Sequence, residues 1–322
     1  PQINMGMYYG EESGLPLYYR VYPGSISDKT HLKYMVADNE FINGKHTRFV
    51  MDRGFYSKEN LQYLTQGGYR FVIALPGSLK YCQELVETHS AELINHSEFR
   101  LGAGLPYGKS YESTVLGFRM NIHLYYDPEK ALRETTALYE LLEAQENDLK
   151  LMEEPPEKKL HYDRFFHINR SKDGKLGFVR NYQAIDAALK ACGFFLIAET
   201  DFKKTTAEIL DIYRRRDTIE KSFDDLKNEL DMKRLRIHTS ETAQGKVFVS
   251  FLSLIVRSYL LKRLKDYMRR NGLTLRKILL ELDKIKTIQY PGSEDERLLN
   301  PLTKQQREIY ELLELPMPEC RG

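Results

Sequence analysis

The alternation of strand and helix patterns within the first 76 residues constrains the fold of this chain most strongly. The apolar runs RFVM at 48–51 and RFVIALP at 70–76 enclose a helix pattern from about Lys58 to Thr65. Together they predict the strand, helix, strand unit of an α/β layer. Asp52 comes directly after the first of these strands, at the sheet edge where open α/β sheets tend to bind ligands.

A hairpin pattern precedes this unit. Residues 2–9 and 15–22 are rich in aromatic and aliphatic side chains, and the turn-forming segment GEESG separates them. Asp28 is a plausible N-cap for a helix that runs to about residue 41 and ends at Asn43 and Gly44. We therefore expect an α/β fold in which residues 1–76 form the first part of the core.

The pattern changes from residue 77 onward. Strand candidates such as STVLGFRMNIHLYY at 113–126 mix with one charged amphipathic helix from Pro128 to about Met152, as expected of an insertion. A strand, GFFLIAET at 193–200, and two helices, Thr206 to about Glu229 and Thr239 to Arg270, follow. The predicted organisation is a core part at 1–76, a mainly β insertion domain with a helix at 77–200, a second core part at 201–270 and a helical tail at 271–322.

Composition sets limits on the class of protein. The chain has 322 residues, of which 42% are hydrophobic, so it is long enough to bury a sizeable core. The longest mostly apolar stretch, 247–256, is about half of a membrane-spanning helix, so we expect a soluble, cytoplasmic protein without a membrane partner. Three widely separated cysteines suggest neither disulfides nor a thiolate zinc site. Because the chain begins in a strand pattern and without Met, we expect a fragment of a longer protein.

Charge is distributed unevenly along the chain. Residues 257–286 hold ten Lys or Arg against three Asp or Glu, although the formal net charge of the whole chain is only +2. This run fits a polyanionic partner, and it fits a solvated helix face equally well.

One helix pattern, at 206–230, carries a polar stripe. With about 100° per residue, four side chains fall within roughly 60° of each other on one face, beside an apolar band. The stripe consists of Tyr213, Arg216, Glu220 and Lys227, and the band of Ile212, Ile219, Phe223, Leu226 and Leu230. Geometry alone favours an ordinary i, i+4 ion pair between Arg216 and Glu220 over a site for metal and phosphate.

The spacing Tyr-x2-Arg-x3-Glu-x6-Lys, together with the upstream Asp52-Arg53-Gly54, resembles the insertion-sequence-four family of bacterial transposases. The flanking segments resemble that family as well, over most of residues 1–260. They are GLPLYYRVYPGSISD at 14–28, FVMDRGFYSKENL at 49–61 and GFFLIAET at 193–200.

The resemblance implies a ribonuclease-H-like core with an Asp, Asp, Glu triad. Asp52 would be the second carboxylate and Glu220 the third, separated by 220 − 52 = 168 residues that include the insertion. By the same resemblance, Tyr213, Arg216 and Lys227 would contact DNA phosphates. The first Asp has no match here, so we expect it before Pro1; the alternative is an inactive copy.

The implied chemistry is cleavage and strand transfer at the ends of an insertion sequence. Asp52 and Glu220 would bind Mg²⁺, with Mn²⁺ as a substitute, because such ions prefer hard oxygen ligands. The implied partners are double-stranded DNA and a second copy of the chain in an active homodimer, within the bacterial cytoplasm and nucleoid. Two alternatives stay open: a related ribonuclease-H-like nuclease, and a non-catalytic DNA-binding remnant. Some relatives use a Trp of the insertion domain to stack on a base; this chain has no Trp, and a Tyr or Phe could substitute.

Overall fold

The computed structural model describes residues 3–10, 12–26, 28–41, 48–152, 162–170, 176–230, 239–289 and 297–318. The chain forms two compact units. We call Ser27–Arg214 the sheet unit, and Pro1–Ile26 with Arg215–Gly322 the helical unit. The predicted boundaries at 76 and 200 both fall inside the sheet unit, and as domain boundaries they stay predictions.

The secondary structure follows in chain order. The strands are β1 (Ile3–Tyr9), β2 (Pro16–Pro23), β3 (Arg48–Met51), β4 (Arg70–Leu75), β5 (Tyr107–Val115), β6 (Phe118–Tyr126), β7 (Phe166–Arg170), β8 (Leu176–Arg180), β9 (Phe194–Glu199), β10 (Thr287–Gln289) and β11 (Arg297–Leu299). The helices are α1 (Asp28–Phe41), α2 (Lys58–Gln66), α3 (Lys80–Asn95), α4 (Pro128–Leu151), α5 (Tyr182–Ala191), α6 (Thr206–Arg214), α7 (Asp217–Asp224), α8 (Ser240–Asn271), α9 (Leu275–Leu282) and α10 (Lys304–Leu312). A π-helical segment, Asp225–Glu229, continues α7.

A five-stranded sheet forms the centre of the sheet unit, in the order β3-β4-β9-β6-β5. Strands β3 and β4 are parallel and the other neighbours antiparallel. The predicted strand, helix, strand unit is confirmed as β3, α2 and β4. Helix α2 begins where the Ser57 side chain accepts a hydrogen bond from the Asn60 N–H, and it buries Leu61 and Leu64.

Both faces of the central strands are covered. Helix α6 lies over one face and contacts β3, β4 and β5. The apolar core between α6 and the sheet consists of Val72, Tyr125 and Ile197 from the sheet, with Ile209, Leu210 and Ile212 from α6. Because strand side chains alternate, Phe71 and Ile73 point to the opposite face, and they are buried too. Strands β4, β6 and β9 therefore form an inner layer, which explains their mostly apolar sequences, whereas the edge strand β5 is polar and has exposed side chains at alternate positions.

The stretch 77–200 differs from its prediction. It is not mainly β, because helices α3, α4 and α5 together hold more of its described residues than its strands do. Its strands β5, β6 and β9 join β4 in the central sheet. Helix α3 was not predicted, although its sequence carries apolar residues at helical spacing; of these, Cys82 and Leu93 are buried.

A separate small core lies within this stretch. Helices α4 and α5 and the antiparallel pair β7–β8 surround a cluster of buried apolar side chains. The cluster consists of Leu142, Leu149, Phe165, Phe166 and Ile185. The long helix predicted from Pro128 is confirmed as α4, which the Asp127 side chain caps through the N–H groups of Glu129 and Lys130.

The helix predicted from Thr206 to Glu229 is wrong as one continuous element. Helix α6 ends at Arg214, α7 begins at Asp217, and the π-helical segment begins at Asp225. The apolar band is divided accordingly: Ile212 belongs to the core of the sheet unit, whereas Leu226 belongs to the core of the helical unit. The chain passes from one core to the other at this break, which helix periodicity does not reveal.

Two apolar clusters lie in the described part of the helical unit. In the first, Met7 of the confirmed hairpin β1–β2 packs with Leu226 and with Phe251 and Leu254 of α8. The second unites the end of α8 with α9 and α10, through Leu264, Tyr267, Leu275, Ile278, Ile309 and Leu313. Within the described ranges, no helix combines the length and apolar character needed to cross a membrane.

Candidate active site

Asp52 lies at the carboxyl end of β3, as predicted, and is half-buried. Its Oδ1 accepts a hydrogen bond from the Gly54 N–H at 2.7 Å, at the start of a short 3₁₀ turn, Arg53–Phe55. A Cβ atom on residue 54 would lie 2.8 Å from this oxygen, closer than real contacts allow. The Asp-x-Gly sequence therefore orients the carboxylate at the edge of the parallel strand pair.

The loop after Asp52 is fixed by polar contacts. The buried Asn60 side chain donates to the Phe55 carbonyl at 2.9 Å. The hydroxyl of Tyr56 lies 3.3 Å from that of Tyr81 on α3. Burial raises the pKa of the neighbouring Cys82 thiol to about 12, so this thiol stays protonated at neutral pH. The loop thus has a defined shape, and Cys82 is a core residue.

The signature residues occupy different helical segments. Tyr213, on α6, is half-buried and packs against the core of the sheet unit. Arg216 lies in the turn before α7 and is half-buried. Glu220 lies in the middle of α7, but its side chain is outside the part of the structure that is described. Lys227 is exposed. The predicted single stripe on one helix is therefore wrong.

The π-helical segment changes the geometry further. The Leu230 N–H donates to the Asp225 carbonyl at 3.0 Å, an i to i+5 hydrogen bond. Each turn of such a segment contains an additional residue, so Lys227 lies further around the axis from Glu220 than α-helical spacing predicts. Segments of this kind occur frequently at functional sites.

An ion pair attaches this segment to α8. Arg257 Nη2 lies 2.9 Å from Asp225 Oδ1, and the two side chains are only 20% and 22% exposed. Nearby, the Tyr9 hydroxyl of β1 lies 3.4 Å from Ser258 Oγ. Together with buried Leu226, these contacts fix the position of the backbone that carries Glu220 and Lys227. This pair could not be predicted from the sequence, because 32 residues separate its members and no local pattern links them.

A buried polar network supports the start of α6 and was also missed. Glu199, the last residue of β9, is completely buried and accepts hydrogen bonds from the N–H groups of Asp201 and Phe202. His123 of β6 lies between Glu199, with Nε2 3.7 Å from Oε1, and Thr206, with Nδ1 3.1 Å from Oγ1. The only signal in the sequence was the acidic end of the apolar strand GFFLIAET.

The network lowers the pKa of Glu199 and fixes the backbone of the loop that follows β9. Burial alone would raise the pKa of Glu199, but hydrogen bonds from His123 and from the backbone of Phe202 and Asp201 outweigh it and lower the pKa below 4.5. Glu199 is therefore an anion at neutral pH. It also holds Phe202 in a left-handed conformation, with φ of 55°, which is unfavourable for a bulky side chain. The loop between β9 and α6 consequently depends on Glu199.

The fold contains a mixed α/β sheet with Asp52 at the end of a parallel strand, and this arrangement fits a transposase domain. Residues 1–256 match the family described as "Transposase DDE domain", and the chain belongs to that family. None of the curated proteins matches the chain significantly. The match ends within α8, so the region from residue 257 onward lies outside the family domain.

The described side chains do not form a complete metal site. The side chain of Glu220 is not among them. Within the described set, no group of three or more His, Cys, Asp or Glu residues is close enough to bind one metal ion. Asp52 belongs to the sheet unit, whereas Glu220 belongs to the helical unit.

Proposed function

We propose that this chain is the catalytic region of an insertion-sequence-four-type DNA transposase with a ribonuclease-H-like core. It would cleave DNA at the ends of an insertion sequence and join those ends to target DNA. The observation that carries the proposal is Asp52, oriented by Gly54 at the carboxyl edge of β3 and β4 within the family domain. Glu220 supports it, because it lies on α7 at the Glu position of the signature.

The chemistry of the donor set fits a hard divalent cation. Asp52 and Glu220 provide carboxylate oxygens, which suit Mg²⁺, with Mn²⁺ as a substitute. When bound, such ions stabilise the attacking and leaving oxygens of an in-line displacement at a phosphodiester. In this proposal Asp52 keeps its orientation through the Gly54 N–H, while contacts of the following π-helical segment with α8 hold the Glu220 backbone. The first triad Asp, expected before Pro1, stays a prediction.

The remaining signature residues would bind the DNA. Lys227 is exposed and can reach a phosphate as a point charge. Arg216 offers a planar fork of donors for phosphate oxygens, and Tyr213 offers a hydroxyl group. We propose double-stranded DNA as substrate, a homodimer as the form that joins two ends, and the bacterial cytoplasm and nucleoid as the location.

The test compares Asp52→Ala and Glu220→Ala in the full-length protein with the wild type, in strand cleavage and strand joining at the element's ends. Cleavage should fall at least about a hundredfold, because the metal ligands contribute several kcal/mol of transition-state stabilisation. DNA affinity should stay almost unchanged. A matched control is Asp186→Ala, which removes an exposed carboxylate on α5.

Undiminished cleavage by either carboxylate variant would refute the assignment of that residue. Wild-type protein that cleaves the ends but never joins them would identify a nuclease on the same scaffold.

A further inference from the structure

The last turns of α8 and the start of α9 present an exposed basic surface outside the family domain. On α8, Leu264, Tyr267 and Met268 occupy the arc that faces the second apolar cluster. The opposite arc, about 140° wide by helix geometry, contains Lys265, Asp266, Arg269 and Arg270. We call five exposed side chains the C-terminal basic surface: Lys265, Arg269, Arg270, Arg276 and Lys277.

Only three residues separate α8 from α9, so the basic residues of the two helices are close along the chain. Gly272, with φ of 61°, ends α8 in a left-handed conformation, and the Leu273 N–H donates to the Met268 carbonyl at 3.0 Å. Helix α9 follows after Thr274, whose side chain accepts a hydrogen bond from the Lys277 N–H. Arg276 and Lys277 in the first turn of α9 therefore follow Arg270, in the last turn of α8, within seven residues of the chain, and both helices pack on the same apolar cluster.

The cations of this surface differ from other basic residues nearby. Arg263 pairs with Glu314, Lys284 with Glu281 and Lys286 with Asp283. By contrast, Lys265, Arg270, Arg276 and Lys277 form no ion pair with any carboxylate in the described ranges, and Arg269 pairs only with the largely exposed Asp266. The positive charge of the surface is thus mostly uncompensated.

Helix stability does not account for all of these charges. Arg269 and Arg270 lie in the last turn of α8, where the helix dipole favours cations. Arg276 and Lys277 lie in the first turn of α9, which contains no acidic residue and where the dipole disfavours cations. A merely solvated face would not require positive charge at that position, whereas positive charge there would attract an anionic partner.

We propose that the C-terminal basic surface binds the phosphate backbone of double-stranded DNA. The choice of DNA as the polyanion rests on the proposed function, while the surface lies apart from Asp52 and Glu220 in sequence and requires no cleavage. Each lysine or arginine that contacts a phosphate releases counterions, so it adds to the salt dependence of binding. The surface would hold DNA without reading its sequence, since phosphate contacts carry no base information.

The test measures the affinity of the protein for a fluorescent DNA duplex of random sequence over a series of salt concentrations. In the variant Lys265→Gln/Arg270→Gln/Arg276→Gln/Lys277→Gln, the slope of log affinity against log salt should fall by about three to four, which corresponds to four lost phosphate contacts. A slope that changes by less than one would overturn the proposal, as would a wild-type protein that does not bind the duplex.

The matched control is Lys284→Gln/Lys286→Gln/Lys304→Gln/Arg307→Gln, which removes the same charge from exposed side chains on α10 and on the segment that follows α9. Its slope should stay within about one of the wild-type value. An equal fall in both variants would show a net-charge effect and overturn the proposal. The melting midpoint of the basic-surface variant without DNA should change little, because relief at the start of α9, where Arg276 and Lys277 oppose the dipole, offsets the loss of Arg270 at the end of α8. A large fall would reveal a structural role and overturn the proposal.

The failure of this proposal can be distinguished from the failure of the proposed function. If the wild type binds the duplex through this surface but cleaves no DNA, the catalytic proposal fails and this one stands. If the wild type cleaves DNA while the salt slope of the basic-surface variant is unchanged, the catalytic proposal stands and the proposal for this surface fails.

Discussion

At the scale of single residues, the orientation of Asp52 is a local property. Its carboxylate is held by the N–H group two residues further along the chain, and Gly54 is needed because a side chain there would meet the same oxygen. Such short-range geometry can be inferred from the sequence Asp-Arg-Gly after a strand. Glu199 is the opposite case, since its partners come from β6 and from the loop after β9.

Glu199→Gln should lower the free energy of unfolding by about 2 to 3 kcal/mol at neutral pH, because hydrogen bonds to a buried anion are lost. The folded-state pKa lies below 4.5, so the contribution of Glu199 is complete above that value and is lost as the pH falls through the lower folded-state pKa. Urea unfolding of both proteins from pH 7 into the acid range measures this, and the difference should shrink on acidification.

A matched control for this prediction is Glu84→Gln, which removes an exposed carboxylate paired with Lys80 on α3. It should change stability by less than about 1 kcal/mol. A pH-independent difference between Glu199→Gln and the wild type would show that the charge of Glu199 is not the stabilising feature.

At the scale of elements, the bounds of the helices after β9 are set by the core that each helix packs against. Helix α6 buries Ile209, Leu210 and Ile212 against the sheet, and α7 with its π-helical continuation is anchored on α8 by Leu226 and Asp225. The sequence pattern is periodic throughout, so it gave no sign of the break.

The Asp225–Arg257 pair should stabilise the attachment of this segment to α8. In a double-mutant cycle with Asp225→Asn and Arg257→Gln, urea unfolding should give a coupling free energy of about 1 kcal/mol or more, because both groups are largely shielded from water. The exposed pair Asp266–Arg269 serves as the control, with an expected coupling below about 0.5 kcal/mol. Equal coupling in the two pairs would contradict an anchoring role for Arg257.

At the scale of the whole molecule, the chain contains two compact units that differ in their connectivity. The sheet unit is one continuous segment with its own apolar clusters, whereas the helical unit combines the first 26 residues with everything from Arg215 onward. Strand β9, at the end of the sheet unit, lies between β4 and β6 in the central sheet.

The fragment 27–214 should therefore fold alone, with a cooperative thermal transition measured by circular dichroism. A shorter fragment, 27–192, is the control: it lacks β9 and α6, so β4 and β6 lose their shared neighbour and the cooperative transition of the central sheet should be lost, while the small core of α4, α5, β7 and β8 is kept. A fragment 27–214 without such a transition would show that the sheet unit needs the rest of the chain.

The sequence by itself determined the local elements and the place of Asp52. Alternating and helical periodicities, caps and turn residues act over a few neighbouring residues, so the β1–β2 hairpin, the β3–α2–β4 unit, α4 and α8 could be predicted. The signature spacing also identified Glu220 as a candidate, although helix geometry alone favoured an ion pair with Arg216.

Only the tertiary structure decided how these elements combine. The insertion of β9 between β4 and β6, the break after Arg214, the π-helical segment and the partners of Glu199 and Asp225 all depend on contacts between residues far apart in the chain. Such contacts are selected by the total free energy of burial and hydrogen bonding in the complete fold, which a single sequence does not display locally.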